Sequence, residues 1–285
     1  MKVVQKRLSC DQSEKYLVSL ADGHTVETLY MVDEERRLTF NSTVCISSQV
    51  GCHMGCRFCA TGRQGFIRNL TAQEIVGQVE LCNRTRKNAK RTPLEAVVFA
   101  GMGEPLRNYG QVKAAIWELR SRWGLRQFEL ATVGIVPQIY ELLEDFQGSD
   151  ISIRLNLSLH ASTDVQRRQI IPMTQEYGVE EIIQAAAVYA AAFNTKARIR
   201  YMLFHGFNNT ADDAVRLTTL LQGKPLKLIL SQYNENNIEG LTPANRLEVL
   251  DFYNTMKTAV EAEIFHNFGS DIQGGCGQLK QTAAV

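Results

Sequence analysis

The sequence predicts an α/β fold in which a parallel sheet is wrapped by helices and extended at its N-terminal side by a β-hairpin. Three observations predict it. Strand-like apolar runs alternate with helical periodicity six times in succession, the pattern of consecutive βα units. Asp22-Gly23 separates two further strand-like runs ahead of those units, which is a hairpin signal. The chain has 285 residues, 45% of them hydrophobic, and can bury one large core. No apolar run approaches the length of a membrane span.

In chain order, the hairpin occupies 15–20 and 25–32. The strand-like runs that follow are 43–47, 96–100, 128–133, 151–159, 199–204 and 226–233. Helical periodicity covers 71–82, 111–122, 137–146, 179–193, 211–221 and 243–260. Thr71 and Glu74 form a capping-box pair at the start of the first helix. A short last strand at 263–268 precedes a Gly-rich tail. Right-handed crossovers leave a full or partial barrel, or an open doubly wound sheet. In each case the ligand site lies beyond the carboxyl ends of the strands.

Lys and Arg number 31 against 30 Asp and Glu, a balance that excludes a protein coating polyanions by bulk charge. A local basic patch remains compatible with nucleic acid. The charge run at 84–91 reads either as a solvated loop or as a contact to RNA phosphates. The first twenty residues contain no signal-peptide core. Leu8-Ser9-Cys10 is similar to a lipoprotein cleavage box, but no apolar segment precedes it. Seven cysteines, four of them between 45 and 59, argue for metal or redox chemistry in a reducing compartment and against a disulfide scaffold. The expected location is the cytoplasm.

Cys52, Cys56 and Cys59 stand at C-x3-C-x2-C just past a strand. Thiolates at such tight spacing hold iron–sulfur clusters. Three of them leave one iron open, as a cluster that must bind a cofactor requires. Zinc with His53 as fourth ligand is the alternative, although adjacent Cys52 and His53 point apart. Cys276 lies between Gly275 and Gly277, on a sterically open loop. Cys45 ends a strand aimed at the same cavity. Cys82 sits in an amphipathic helix and reads as core; Cys10 matches no pattern.

The three-cysteine motif, with Phe58 before its last Cys, resembles the radical S-adenosylmethionine superfamily, in which the open iron chelates the cofactor's amino and carboxylate groups. Four collinear segments narrow the likeness: Cys45 to Cys52, Gly101-Met102-Gly103-Glu104-Pro105-Leu106, Ser158-Leu159-His160-Ala161, and Gly269 to Leu279. Together they resemble the RlmN/Cfr family of adenosine methyltransferases, in order from about residue 25 to Leu279. The resemblance implies a partial (β/α)6 TIM-like barrel with the hairpin at 1–40, the barrel core at 41–235 and a C-terminal part at 236–285. It implies a 4Fe–4S cluster on Cys52, Cys56 and Cys59. It also implies S-adenosylmethionine contacts from Gly103, Glu104, Ser158, Leu159, His160 and Asn234.

The resemblance further implies that Cys276 is methylated by one S-adenosylmethionine, while a second is cleaved to a 5′-deoxyadenosyl radical. The activated carbon then adds to C2 or C8 of an adenosine, and Cys45 resolves the adduct through a transient disulfide. Glu27 matches a carboxylate near the substrate base; an exposed hairpin charge is its ordinary reading. His160 reads as structural, with no proton transfer assigned. The implied partners are 23S rRNA or tRNA and a flavodoxin- or ferredoxin-type reductant, with no membrane and a monomeric protein. Two departures stand out. Ala131 occupies a position where the family commonly has Ser, which weakens a cofactor contact by roughly 1 kcal/mol unless Thr132 or water substitutes. The chain also begins almost at the hairpin, where relatives carry a further helical domain. RNA phosphates would then fall to the 84–91 run, Arg63, Arg68, Arg167 and Arg168. The same two-thiol chemistry on another substrate, and a non-enzymatic iron–sulfur regulator, are the competing readings; Cys45 and Cys276 have no use in the second.

Overall fold

The computed structural model describes residues 1–32, 40–86, 93–172, 176–234, 240–265 and 267–280. The chain opens with antiparallel strands β1 (Lys2–Leu8), β2 (Glu14–Ser19) and β3 (Thr25–Val32). The last two are the expected hairpin, with Gly23 at φ +86° in the turn and the Leu20 N–H donating to the His24 carbonyl at 2.8 Å. β1 is absent from the sequence-based reading because nearly every residue in it is exposed, which leaves no alternation to detect. Its Lys2, Lys6 and Arg7 suit a sheet edge, where charge discourages pairing with another chain.

β4 (Ser42–Ile46) joins the two halves of the sheet, running antiparallel to β3. β5 (Gln49–Gly51) then leads into the cysteine loop, which passes through α1 (Ala60–Arg63) and returns along β6 (Phe66–Asn69), antiparallel to β5. The βα units follow: α2 (Ala72–Arg86), β7 (Ala96–Phe99), α3 (Tyr109–Trp123), β8 (Gln127–Thr132), α4 (Val136–Phe146) and β9 (Ser152–Ser158). The chain continues through α5 (Asp164–Ile170), α6 (Val179–Ala192), β10 (Ala197–Leu203), α7 (Ala211–Leu221), β11 (Leu226–Gln232), α8 (Arg246–Met256) and β12 (Ala262–Ile264).

Among the described residues one sheet of ten strands runs β1-β2-β3-β4-β7-β8-β9-β10-β11-β12, with β5 and β6 separate. From β4 to β12 every neighbouring pair is parallel. A doubly wound sheet reverses its strand order at a switch point. This sheet does not, so right-handed crossovers put its helices on one face and its other face curls inward. The result is the expected partial barrel, with β1 and β12 as its two unclosed edges.

Strand alternation then sorts residues between core and interior. Phe128, Leu130, Leu155, Leu157, Ile199 and Tyr201 are buried under the helices. Their neighbours Glu129, Ala131, Asn156, Ser158, Arg198, Arg200 and Met202 face a central cavity. The capping box at α2 is formed, with the Glu74 N–H donating to Thr71 Oγ1 at 3.2 Å and the Thr71 N–H to Glu74 Oε2 at 2.9 Å. α8 begins at Arg246 and not at 243, because Asn245 caps it by accepting the N–H groups of Leu247 and Glu248. β12 is shorter than the expected 263–268, since its pairing with β11 spans only Leu228 to Leu230. Cys82 is fully buried, as expected. The boundary expected at 235–236 lies outside the described residues, as does the charge run at 84–91 from 87 onward.

Gly51 carries φ +76°, and a Cβ there would lie 2.0 Å from the Gly65 carbonyl oxygen. That oxygen accepts the Cys52 N–H at 2.8 Å, which closes the cysteine loop at its neck. Gly51→Ala is expected to cost about 3 kcal/mol through backbone strain and overpacking, measured as a lower urea midpoint. An unchanged midpoint would show that the loop does not depend on this closure.

Candidate active site

The carboxyl ends of the parallel strands open into one cavity. Its wall includes all three motif cysteines, Cys52, Cys56 and Cys59, together with Cys45 and Cys276. Gly103, Glu104, Ser158 and His160 also line it. Leu159 is fully buried behind that wall. Asn234 lines an adjoining cavity between β11 and α8, and Glu27 is on the wall of neither.

The cysteine loop is fixed from several sides. Cys59 is followed by α1, whose Gly62 packs so close to Cys56 that a Cβ would lie 2.8 Å from the Cys56 nitrogen. The Arg57 N–H donates to the Ile170 carbonyl at the end of α5, and the Ala60 N–H to the Gly277 carbonyl at 2.7 Å. Phe58 meets the His160 ring edge-on at 5.0 Å between centroids. Burial pushes the Cys52 thiol up to about 12 and the Cys56 thiol well above its ordinary value. Burial raises Cys59 too. Against this, the Met54 N–H points at Cys52 and those of Thr61 and Gly62 at Cys59, donors that favour thiolates once a cation is near.

This donor set fits an iron–sulfur cluster. Among the described residues no three His, Cys, Asp or Glu side chains converge as one metal ion would need, whereas a cubane takes each thiolate on a separate iron. His53 is exposed and stacks edge-on against Phe66 at 4.3 Å. It does not face the cavity, so the zinc alternative loses its fourth ligand.

The Gly101–Gly103 segment follows β7. Both glycines line the cavity and pack against the chain just after β4. A Cβ on Gly101 would lie 2.7 Å from the Ile46 carbonyl, and one on Gly103, at φ +103°, 2.6 Å from the Gln49 side chain. The Met102 carbonyl accepts the N–H groups of Ser48 and Gln49. Glu104 is 3% exposed and accepts the N–H groups of Val133 at 2.9 Å and Leu106 at 3.1 Å. Burial raises its pKa, and these donors together with the Thr132 hydroxyl partly offset that. Thr132 also accepts the Gly134 N–H. Its hydroxyl is therefore committed to Glu104 and Gly134 and does not stand in for the one missing at Ala131.

His160 sits at φ +57°, held by Asn208, whose side-chain amide donates to its carbonyl at 2.9 Å. Its Nδ1 accepts the Met202 N–H at 3.0 Å, so the ring proton is on Nε2. Burial, reinforced by Arg167 and Arg200, pushes its pKa down to about 3. A neutral, hydrogen-bonded imidazole agrees with a structural role.

Two of the arginines expected at RNA are committed elsewhere. Arg68 binds Glu74 through two nitrogens and Asp22 through a third. Arg167 is 2% exposed. Arg63 and Arg168 are exposed.

The tail carrying Cys276 crosses from β12 to the N-terminal hairpin. Asp11 accepts the Gly269 N–H at 2.7 Å, and Asp271 binds Ser9 Oγ and the Cys10 N–H. Further on, Lys15 Nζ donates to the Gln273 carbonyl at 3.1 Å, and Glu27 accepts the Lys280 N–H at 2.9 Å. Lys15 and Glu27 pair with each other at 3.0 Å, both side chains 6% exposed. Thus Glu27 is not an exposed hairpin charge: one oxygen binds Lys15 and the other the tail backbone. Asn234 donates to the Cys276 carbonyl at 3.1 Å. Cys276 itself is exposed, while Cys45 lies buried on β4 in a small cluster with Leu29 and Ile272. Burial, then the charge of nearby Cys276, pushes Cys45 up to about 12.

Sequence reading did not find Lys15, Ser9 or Asp11. A signal for Lys15 existed: the Asp22-Gly23 turn sets Leu17 opposite Glu27, which makes Lys15 a diagonal same-face neighbour of Glu27.

Two measurements check this geometry. Lys15→Met leaves the Glu27 carboxylate buried without its cation, at a cost of about 3 kcal/mol or more. Limited proteolysis should then cut within 273–280 faster than in the wild type; equal rates would show that the pair does not hold the tail. His160 titrates at about 3 when folded against 6.5 ordinarily. The unfolded chain therefore binds the extra proton between those values, so the stability His160 contributes is full above pH 6.5 and is lost as pH falls toward 3. His160→Asn should flatten the pH dependence of the urea midpoint in that window, and an unchanged slope would contradict the assignment.

Residues 46–218 match the model of the Radical SAM superfamily. The chain is 36% identical over 94% of its length to the probable dual-specificity RNA methyltransferase RlmN of Dictyoglomus turgidum, of which it covers 76%. It is 39% identical over 95% of its length to the dual-specificity RNA methyltransferase RlmN 2 of Myxococcus xanthus, of which it covers 71%. A solved radical SAM methyltransferase from Sphaerobacter thermophilus superposes with a TM-score of 0.90 at 31% identity, over 98% of this chain and 80% of the other. With the thiol loop at the carboxyl ends of a partial barrel, these likenesses place the chain in the radical SAM superfamily and, within it, in the RlmN family of RNA methyltransferases.

Proposed function

We propose that this protein methylates a ring carbon of an adenosine, C2 or C8, in ribosomal or transfer RNA through a methylated Cys276, and that Cys45 resolves the covalent enzyme–RNA intermediate. The observation that carries the proposal is the pairing of thiols in one cavity. Cys276 is exposed on a tethered loop and Cys45 is buried on β4, and both share a wall with the three cysteines of the cluster motif.

In this reading Cys52, Cys56 and Cys59 hold a 4Fe–4S cluster, and Gly103, Glu104, Ser158, Leu159, His160 and Asn234 surround S-adenosylmethionine. When bound, the cluster and cofactor supply a 5′-deoxyadenosyl radical able to take hydrogen from a thioether methyl group. Glu104, a buried carboxylate facing the cavity, offers its charge to the cofactor's ammonium. His160 presents an uncharged ring and moves no proton. Cys276 would accept a methyl group by displacement from one S-adenosylmethionine and, after that methyl lost a hydrogen atom, its carbon would add to the ring. The ring radical would give one electron back to the oxidised cluster and its ring proton to Cys45, leaving a closed-shell adduct. The Cys45 thiolate then attacks the Cys276 sulfur. The bond from that sulfur to the bridging carbon breaks, its electron pair takes a proton to complete the methyl group, and a Cys45–Cys276 disulfide remains for two-electron reduction.

Glu27 enters as a residue that holds the Cys276 tail beside the substrate; contact with the adenine would exchange one of its two present partners. The proposal extends to a flavodoxin- or ferredoxin-type electron donor, a monomeric protein and a cytoplasmic location.

Cys276→Ala should abolish carbon transfer yet leave S-adenosylmethionine cleavage. Cys45→Ala should accumulate protein joined to nucleotide through the Cys276 methylene bridge, a linkage that survives denaturant and reductant. Nuclease and protease digestion followed by mass spectrometry identifies the attached base. An adenosine adduct absent from the double variant supports the proposal; a Cys276 peptide that is only methylated, with RNA present, overturns the covalent route.

A further inference from the structure

We propose that Arg167 is the fixed counter-charge of the thiolate cluster, a buried guanidinium on the helix whose Ile170 carbonyl holds the Arg57 N–H next to Cys56, and that it raises the cluster's reduction potential. The inference rests on the three-thiol cluster reading and not on the identity of the substrate.

Arg167 projects from α5 and is among the largest fully buried side chains of the protein. Its Nε donates to the Leu159 carbonyl at 3.1 Å, and its Nη2 donates to the carbonyls of Ser158 and Val133. These acceptors are neutral and sit at the ends of β8 and β9. Among the described residues no carboxylate pairs with Arg167, although arginine is rarely buried without one. The negative groups that act on it are Cys56 first, then Asp164 and Glu104. The effect is mutual: Arg167 is the group that favours the Cys56 thiolate against burial and the neighbouring cysteines.

A guanidinium taken out of water needs an opposite charge or it is a heavy cost. While the three thiols are protonated, its opposite charges are Asp164 and Glu104, neither of them paired with it among the described residues. A 4Fe–4S core on three thiolates is a net anion, and one-electron reduction deepens that charge by one unit. A cation held at fixed distance favours the reduced form over the oxidised form, which is a rise in potential. Three carbonyls from two strands hold the fork, so the charge cannot swing to water.

A purely structural strut between α5 and the strand ends would also explain the hydrogen bonds, and charge separates the two. Arg167→Gln keeps an amide donor and loses the charge; Arg167→Lys keeps the charge and loses the fork. Both should be reconstituted anaerobically without S-adenosylmethionine and titrated by electron paramagnetic resonance. In Arg167→Gln the ratio of reduced to oxidised cluster at a fixed solution potential should fall at least tenfold, which is 59 mV for one electron. Arg167→Lys should stay within about threefold of the wild type. A loaded Gln variant with an unmoved potential, or a Lys variant that falls as far as Gln, overturns the inference.

Thermal midpoints of apo and loaded protein give a second reading. The gain on loading should be smaller in Arg167→Gln than in the wild type, and equal gains count against the counter-charge. Wild-type protein that takes up no iron or sulfide would sink the cluster reading itself. A normal wild-type cluster beside an unmoved Gln variant would sink the inference alone.

Discussion

A parallel sheet that stops short of closing leaves two edges and an interior open between them, and the interior of this one carries its chemistry. The segment 269–280 spans the gap from β12 to the N-terminal strands and is attached there at two places. At the first, Asp11 and Ser9 grip the Gly269–Asp271 turn. At the second, Lys15 and Glu27 hold Gln273 and Lys280 from either side of Cys276. A buried ion pair recovers its desolvation cost only when further hydrogen bonds complete it. Here those further bonds belong to the tail. The position of Cys276 and the burial of Lys15 and Glu27 therefore depend on each other.

The cavity behind that closure is built from groups whose charged forms are disfavoured until a ligand arrives. The cysteines rest as thiols, Glu104 sits above its usual range, and His160 is neutral. Arg167 is buried there with its guanidinium on three carbonyls. Such a site takes its electrostatic identity from what binds. Backbone donors from Met54, Thr61 and Gly62 are already aimed at the thiols, so binding needs little rearrangement.

Much of this was legible in the residues because it follows short-range rules. Hydrophobic alternation and helix periodicity locate six βα units, and Asp22-Gly23 locates the hairpin. The cysteine spacing singles out Cys52, Cys56 and Cys59, which the fold brings to one cavity wall, and the glycines around Cys276 point to its loop. The illegible parts depend on tertiary burial. β1 carries no apolar alternation because it lies exposed at an edge. α5 is seven residues long, too short for a periodic signal. Its Arg167 looks like any surface arginine until the fold encloses it, and Arg68 looks free until Asp22 and Glu74 surround it. Only the packed structure shows that a Cβ at Gly101 would meet the Ile46 backbone and one at Gly103 the Gln49 side chain.

The attachment between residues 9–27 and 269–280 joins residues 258 apart in the chain. As the chain leaves the ribosome from its N-terminus, the hairpin, the cysteine loop and the first βα units emerge while the tail is still unsynthesised. Until that tail docks, Cys52, Cys56 and Cys59 face an open groove, and Lys15 and Glu27 retain water where Gln273 and Lys280 will sit. Nascent protein thus passes through an interval in which the thiol loop is open to small solutes. Docking of 269–280 ends that interval and narrows the way back out.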